Sequence, residues 1–182
     1  IDELFSEFDL LGQSLLQSIA LFLDLEESYF ETIANKGNSV MRSIHYPPVR
    51  KDDKGERSGA HEDINLITLL IGGHQPGLEI KSKDNMWISV DTAPEVLVCN
   101  IGDMLQRLTN HKLISTTHRV NAPKESMDIS RFSIPFFVHP NPDWLIDTLD
   151  SCCTEDNPKK YIEPILAEDY LQERLKEIKL IS

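Results

Sequence analysis

The chain has 182 residues, with 30 Asp and Glu against 18 Lys and Arg, which gives a formal net charge of -12. This charge excludes the basic surface on which binding to a phosphate backbone depends, so we expect no nucleic acid among the partners. The length suits one domain over residues 1–182, and no run of 18 or more apolar residues predicts a membrane-spanning helix or a membrane partner.

The N-terminal part of the chain is predicted to be helical. Apolar residues recur at helical spacing and predict an amphipathic helix over residues 2–23. A capping-box pattern that begins at Asp24 predicts a second helix, which ends at Ala34. The N-terminal helices are therefore expected over residues 2–34.

The middle of the chain is predicted to be a β core. Between residues 40 and 140, short β-branched and aromatic stretches alternate with turn residues, as is typical of strands. Asn157-Pro158 predicts the start of C-terminal helices, which are expected to extend over residues 157–180. The fold class is therefore mainly β with flanking helices.

Three cysteines give no disulfide framework. Cys99 lies in an apolar strand pattern, and Cys152 and Cys153 are adjacent, so they are poorly placed to pair with each other. Unpaired thiols are typical of a reducing compartment. We expect a cytoplasmic protein.

His61 and Asp63 are the first candidate metal ligands. The residues that follow them are strongly strand-forming, and side chains two positions apart on a strand point to the same side. His61 and Asp63 should therefore converge while Glu62 faces away. Taken alone, such a pair is as well explained by a surface histidine bonded to a nearby carboxylate.

His118 is the third candidate ligand. It lies in residues 113–120, a segment rich in β-branched residues that predicts a strand. Two imidazoles and one carboxylate on one face form the ligand set of a non-haem Fe(II) oxygenase, which leaves three coordination positions open. A histidine that simply packs within its strand is the alternative for His118.

Arg131 and Ser133 form a candidate anion clamp. They alternate with Phe132 along a predicted strand and share one face with Phe137. A guanidinium and a hydroxyl two residues apart can grip a carboxylate. Iron ligands together with this clamp imply an oxo-acid co-substrate, whereas Arg131 could otherwise form an ion pair with an acidic neighbour.

The sequence resembles the isopenicillin N synthase-like family of Fe(II)/2-oxoglutarate-dependent dioxygenases. That family carries His-x-Asp, a distant His and Arg-x-Ser in this order. The blocks that carry the resemblance are residues 42–48, 59–63, 77–80 with 87–90, 98–105, 115–120 and 131–137. The resemblance implies a double-stranded β-helix, the cupin-like jelly-roll, with its core over residues 40–140.

The resemblance also implies roles for individual residues. His61, Asp63 and His118 would bind Fe(II), while Arg131 and Ser133, with Tyr46 before Pro47, would bind 2-oxoglutarate. Phe137 matches a position that often lines the substrate pocket, although an inward aromatic could simply fill the barrel. Arg42 shares the strand parity of Tyr46 and could meet a substrate anion, although a surface ion pair explains it at least as well.

The implied reaction consumes 2-oxoglutarate and O2, releases succinate and CO2, and oxidises a small organic molecule, most simply by hydroxylation. No catalytic residue beyond the metal centre is required. Two alternatives remain open: an oxidase that uses O2 without 2-oxoglutarate, as isopenicillin N synthase does, and a non-catalytic jelly-roll that only binds a ligand.

The resemblance further predicts that the N-terminal part of the family's domain precedes Ile1 and is absent from this sequence. The jelly-roll should then be incomplete on that side, with an exposed apolar patch and a partly exposed metal site. Leu11, Leu15 and Ile19 should still pack on the sheet.

Other polar residues are assigned structural roles. Solvated loop or strand-edge positions, away from any metal, are expected for His45, His74, His111 and His139. Asn100 and Asp103 follow a strand and are expected to satisfy backbone groups near the metal.

Overall fold

The computed structural model describes residues 1–36, 38–49, 56–72, 75–90, 93 and 95–178. Three helices are α1 (Asp2–Phe22), α2 (Asp103–Leu108) and α3 (Ala167–Glu177), with one 3₁₀ turn at Asp150–Cys152. The strands are β1 (Val40–Met41), β2 (Ile44–Tyr46), β3 (Ser58–His61), β4 (Ile67–Ile71), β5 (Leu78–Lys81), β6 (Trp87–Ser89), β7 (Leu97–Ile101), β8 (His118–Val120), β9 (Arg131–Val138), β10 (Leu145–Ile146) and β11 (Ile165–Leu166).

Two antiparallel sheets form the core of the fold. The major sheet has the order β1-β9-β4-β7, and β2 continues along the same edge of β9 as β1. The minor sheet has the order β3-β8-β5-β6. This crossing connectivity confirms the predicted jelly-roll, although within the described residues the two sheets do not close into a barrel.

The first helix packs on the outer face of the major sheet. Its buried residues, Phe8, Gly12, Leu16 and Ala20, recur every four positions. The ring of Phe8 stacks on Phe136 of β9 at a centroid distance of 5.2 Å. A Cβ at Gly12 would lie 3.0 Å from Cγ2 of Val138, so a residue without a side chain lets the helix approach the sheet closely.

The predicted stripe on this helix is displaced by one residue. Leu15 and Ile19 are partly buried against the core, as expected. Leu11 is 36% exposed, so its predicted packing on the sheet is wrong. Gly12 and Ala20 are buried instead of Leu11. Small residues at these positions let the helix backbone pack closely on the sheet.

The predicted second helix, over residues 24–34, is wrong. Asp24 adopts a left-handed backbone conformation with φ of 58°, which ends α1 abruptly. The segment then forms successive turns, in which N–H groups of Tyr29, Glu31 and Ile33 donate to carbonyls three residues earlier. Phe30 is buried here, so tertiary packing overrides the capping pattern.

The predicted C-terminal helices begin too early. Residues 157–164 are not helical, and the Asn157 amide donates to the carbonyls of Asn110 and Cys152 instead of capping a helix. The helix α3 starts only at Ala167, after β11 has paired with β10. Within the described part of the chain, no helix is long and apolar enough to cross a membrane.

Candidate active site

Three candidate metal ligands come together where β3 and β8 pair. His61 and His118 are directly opposite in the register, with ring centroids 4.4 Å apart. Asp63 follows β3, and the potential ligand atoms of the three side chains all lie within 4.8 Å of one another. The sequence prediction of a converging His-x-Asp and distant His therefore agrees with the geometry.

Both histidine rings are held in one orientation. Nδ1 of His61 donates to the carbonyl of Gly59 at 2.8 Å, and Nδ1 of His118 donates to that of Thr116 at 3.0 Å. A carbonyl can only accept, so the proton is on Nδ1 and the lone pair is on Nε2. Each Nε2 lies 3.8 Å from Oδ1 of Asp63. This arrangement is the one that metal-binding histidines adopt.

The carboxylate of Asp63 is buried and its second oxygen is fixed. Oδ2 accepts hydrogen bonds from Thr68 Oγ1 at 2.7 Å and from Asn100 Nδ2 at 2.8 Å. Asn65 in turn donates to the Thr68 hydroxyl at 2.9 Å. Oδ1 therefore remains directed at the two Nε2 atoms, as a ligand oxygen would be.

Thr68 carries no signal in the sequence, and Asn100 has a different role from the one expected. The Asn100 amide binds the candidate ligand itself, so the expectation that it satisfies backbone groups is wrong. The carboxylate of Asp103 pairs with Arg174 at 3.0 Å, so its side chain departs from the same expectation, while its backbone N–H donates to the carbonyl of Asp63 at 2.8 Å. These contacts join β4 and β7 to the loop after β3, and sequence spacing gives no indication of them.

A glycine allows this close approach. A Cβ on Gly102 would lie 2.1 Å from Asn65 Oδ1 and 2.3 Å from the Asn65 carbonyl oxygen. Any side chain at this position would push the strand end of β7 away from the loop that carries Asp63. Gly102 is therefore required by the packing around the candidate metal ligands.

Arg131 lies buried at the start of β9, opposite Tyr46 in the register with β2. Its Nε and Nη1 atoms are buried without a hydrogen-bond partner. Burial lowers the pKa of the guanidinium; the nearby Tyr46 raises it, and the nearby Arg57 lowers it. An unpaired buried cation is costly, so this position fits a bound anion, which the described residues around Arg131 do not supply.

The three predicted co-substrate residues share one cavity with the metal ligands. The cavity lies between the two sheets and has a volume of about 250 Å³. Ser133 is buried on the same face of β9 as Arg131, and the guanidinium of Arg131 lies 5.6 Å from the ring centre of Tyr46. Arg42, which is exposed, and Phe137 also line this cavity. All eight residues predicted for the site therefore surround one space.

The donor set and the orphaned guanidinium fit Fe(II) and a carboxylate-bearing co-substrate. Two imidazole nitrogens and one carboxylate oxygen on one side leave three positions for other ligands. The side chain of His61 is 41% exposed, which agrees with the expected partial exposure of the metal site.

The remaining described histidines lie outside the candidate ligand group. His45 is exposed, hydrogen-bonds with Ser130 and stacks on Phe132, in agreement with the solvated position expected for it. His111 and His139 depart from that prediction. His111 bonds with the Tyr161 hydroxyl at 2.7 Å, and burial lowers the pKa of His139. His74 lies outside the described residues.

Sequence reasoning also missed Arg57. It belongs to a charged stretch of sequence, yet it lines the cavity just before β3. Its Nη2 donates to the carbonyls of Ile129 and Ser126 at 2.6 and 3.2 Å. These bonds to a segment about 70 residues away leave no trace in local sequence.

Comparison with known proteins gives consistent matches. The model of the 2OG-Fe(II) oxygenase superfamily matches residues 37–140. A 2-oxoglutarate-Fe(II) type oxidoreductase of Emericella nidulans is 37% identical over 166 residues, which cover 89% of this chain and 46% of that protein.

Solved structures match over the whole fold. A protein described as belonging to the 2OG-Fe(II) oxygenase family of Caulobacter crescentus has a TM-score of 0.90 and 47% identity, covering 98% of this chain and 58% of that one. A full-length Neurospora crassa protein in complex with alpha-KG and thymine has a TM-score of 0.88 and 30% identity, covering 97% and 55%.

The chain spans about half the length of these relatives and structures. The matched residues include the candidate metal ligands and the Arg131–Ser133 pair. The chain belongs to the 2OG-Fe(II) oxygenase superfamily.

Proposed function

We propose that this chain carries the metal and co-substrate site of an oxygenase that oxidises a small organic molecule, most simply by hydroxylation. The observation that carries the proposal is the shared cavity. In it, Nε2 of His61 and His118 converge with Oδ1 of Asp63, and the buried Nε and Nη1 atoms of Arg131 have no hydrogen-bond partner.

His61, Asp63 and His118 would hold Fe(II). When bound, Fe(II) with 2-oxoglutarate and O2 supplies the oxidising chemistry, in which 2-oxoglutarate is converted to succinate and CO2 as the substrate is oxidised. The protein's part is to keep three ligands on one side. The Nδ1 hydrogen bonds fix both imidazole tautomers, and Thr68 with Asn100 fixes the Asp63 carboxylate.

Arg131, Ser133 and Tyr46 would bind the distal carboxylate of 2-oxoglutarate. The planar guanidinium offers N–H donors in a fixed fork, which matches a carboxylate better than an ammonium group does. Its Nε and Nη1 atoms are buried without a hydrogen-bond partner, and burial, which lowers the pKa of the guanidinium, disfavours the unpaired charge. Binding a carboxylate here would relieve this penalty.

Arg42 and Phe137 are proposed to contact the primary substrate. They line the same cavity as the metal ligands, and Phe137 lies on the β9 face that also carries Ser133. The relatives support a small molecule, since the Neurospora crassa protein was crystallised with thymine and with 5-formyluracil, and another relative is named a proline hydroxylase. The net charge of -12 supports the same choice over nucleic acid.

We propose a cytoplasmic location because the three cysteine thiols are free. Cys99, Cys152 and Cys153 are all free, and Cys99 is exposed. Exposed free thiols persist in a reducing compartment.

The test is a product screen with the protein, Fe(II), 2-oxoglutarate and O2 against candidate metabolites, read by mass spectrometry. Hydroxylation adds one oxygen atom, about 16 Da, to the substrate, whereas desaturation removes about 2 Da. The His118→Ala variant serves as the control. Oxidation that persists in that variant, or that proceeds without 2-oxoglutarate, would contradict the proposal, and the second result would favour an oxidase.

A further inference from the structure

Besides Arg131 and the exposed Arg42, a third guanidinium lines the cavity, that of Arg57. Arg57 lies immediately before β3, on the wall formed by the minor sheet, whereas Arg131 lies on the major sheet. Nη2 of Arg57 donates hydrogen bonds to the carbonyls of Ile129 and Ser126. Its Nε and Nη1 atoms are buried and have no hydrogen-bond partner, as is also true of the same two atoms in Arg131.

The guanidiniums of Arg57 and Arg131 line the same cavity. The charge of Arg57 contributes to the lowering of the pKa of Arg131, although burial is the larger cause. Two cations in one desolvated cavity repel each other unless an anion lies between them.

Within the described part of the chain, the cavity lining supplies no such anion. Asp63 is the one acidic residue among the described residues that line the cavity. Its Oδ2 is taken by Thr68 and Asn100, and its Oδ1 faces the two histidines. Among the described residues that line the site, neither Arg57 nor Arg131 therefore has a carboxylate partner.

The position of Arg57 along the cavity indicates which anion it meets. The carbonyls that it binds, at Ser126 and Ile129, belong to the segment that leads directly into Arg131 at the start of β9. Tyr46 is opposite Arg131 at the same end. Phe137 lies six residues further along β9, about 20 Å away for an extended strand. Arg57 thus belongs to the co-substrate end.

We propose that Arg57 is a second cation for the distal carboxylate of 2-oxoglutarate, which it binds together with Arg131. This inference rests on the proposed function. A subsite with two guanidiniums should discriminate strongly between 2-oxo acids that carry a distal carboxylate and those that end in a methyl group. Through its hydrogen bonds to Ser126 and Ile129, Arg57 also holds residues 126–129 against the cavity wall.

The experiment compares two ligands in three proteins: the unmodified chain, Arg57→Gln and Arg57→Lys. The dissociation constants of 2-oxoglutarate and 2-oxopentanoate are measured by calorimetry with saturating Mn²⁺. 2-Oxopentanoate has the same carbon chain but lacks the distal carboxylate. Arg57→Gln should weaken 2-oxoglutarate binding about tenfold to a hundredfold, as expected for loss of a charge-assisted contact, and should change 2-oxopentanoate binding less than about threefold.

Arg57→Lys keeps the charge and should fall between the other two proteins for 2-oxoglutarate. Arg107→Gln is the matched control. Arg107 also donates Nη2 to a backbone carbonyl, that of Glu163, and also has a buried Nε without a partner, but it lies outside the cavity lining. This variant should bind both ligands as the unmodified chain does.

Two outcomes would overturn the role of Arg57 alone. Equal weakening of both ligands in Arg57→Gln would mean that the residue acts by holding residues 126–129, and unchanged binding of both would mean that it has no part in the subsite. If the unmodified chain with Mn²⁺ binds neither 2-oxo acid, the proposed function itself fails, and the inference fails with it.

Discussion

The two sheets of this fold differ sharply in burial, and the candidate site uses both. In the major sheet, β4 and β9 are covered by α1 on one side and line the cavity on the other, so Leu69 and Phe136 are fully buried. In the minor sheet, most residues of β3 and β6 are exposed. The side chain of Asp63 is 6% exposed, whereas that of His61 is 41% exposed.

The two sheets, which differ in burial, also contribute different residues to the site. The charged groups that must keep one geometry, Asp63 and Arg131, are held by the buried sheet and its neighbouring loops. His61 and His118 belong to the more exposed minor sheet, where each ring is fixed mainly by one hydrogen bond to a backbone carbonyl. Substitutions in the buried part should therefore affect stability or ligand geometry, and those in the exposed part should affect metal binding alone.

The largest effect on metal binding is expected from substitution of Asp63, the candidate carboxylate ligand. Asp63→Asn removes the one negative charge of the ligand set while keeping the side-chain shape, and it should abolish binding of a divalent ion. Metal content per chain, measured after dialysis against Mn²⁺, tests this. His45→Ala removes an exposed histidine outside the group and should leave one ion per chain. An unchanged metal content in Asp63→Asn would show that the ion binds elsewhere.

The buried sheet is tested by Phe136→Ala. Phe136 packs between Phe5 and Phe8 of α1, and its loss should destabilise the fold by about 3–5 kcal/mol through lost burial and a cavity. Phe132→Ala, on the same strand but exposed, should cost about 1 kcal/mol or less. Both values come from chemical denaturation. Equal costs for the two variants would contradict the difference in burial between these two positions on the same face of β9.

The contacts between the sheets are tested by Asn100→Ala. This variant removes one of two hydrogen bonds to Oδ2 of Asp63 and should weaken metal binding about tenfold to a hundredfold without removing any ligand. Cys99→Ala, at the neighbouring exposed position, is the control and should change metal affinity little. Metal affinity is measured by competition with a chelator. No change in Asn100→Ala would mean that Thr68 alone holds the carboxylate.

The smallest effect concerns His111, in the turn after α2 and away from both sheets. Burial, and then the charge of Lys160, lower the pKa of His111 in the folded state, while Glu62 opposes them. The unfolded chain therefore binds more protons near its ordinary pKa of about 6.5, so stability is full above that pH and falls as the pH drops below it. His111→Gln should flatten this part of the pH–stability curve. An identical slope in both proteins would contradict the assignment.

Much of the site was predictable because it depends on residue types and spacings that are visible in short stretches of the sequence. The His-x-Asp spacing predicted that His61 and Asp63 converge, although Asp63 lies in the loop after β3 and not on the strand. Arg131 and Ser133 follow strand parity on β9, and the block order identifies the fold. The failures have a common cause. The capping pattern at Asp24 and the Asn157-Pro158 pair are local signals that tertiary contacts override. Thr68 and Arg57 reach their partners through folding, so spacing alone cannot reveal them.

Arg131 and the candidate metal ligands are proposed to act together on 2-oxoglutarate, and succinate formation is the measurement that tests this joint role. The unmodified chain should release succinate only with Fe(II), O2 and 2-oxoglutarate. Arg131→Ala should need about tenfold to a hundredfold more 2-oxoglutarate, since it loses a charge-assisted contact, and Arg131→Lys should restore part of the affinity. Succinate formation without Fe(II), or an unchanged 2-oxoglutarate requirement in Arg131→Ala, would contradict the claim.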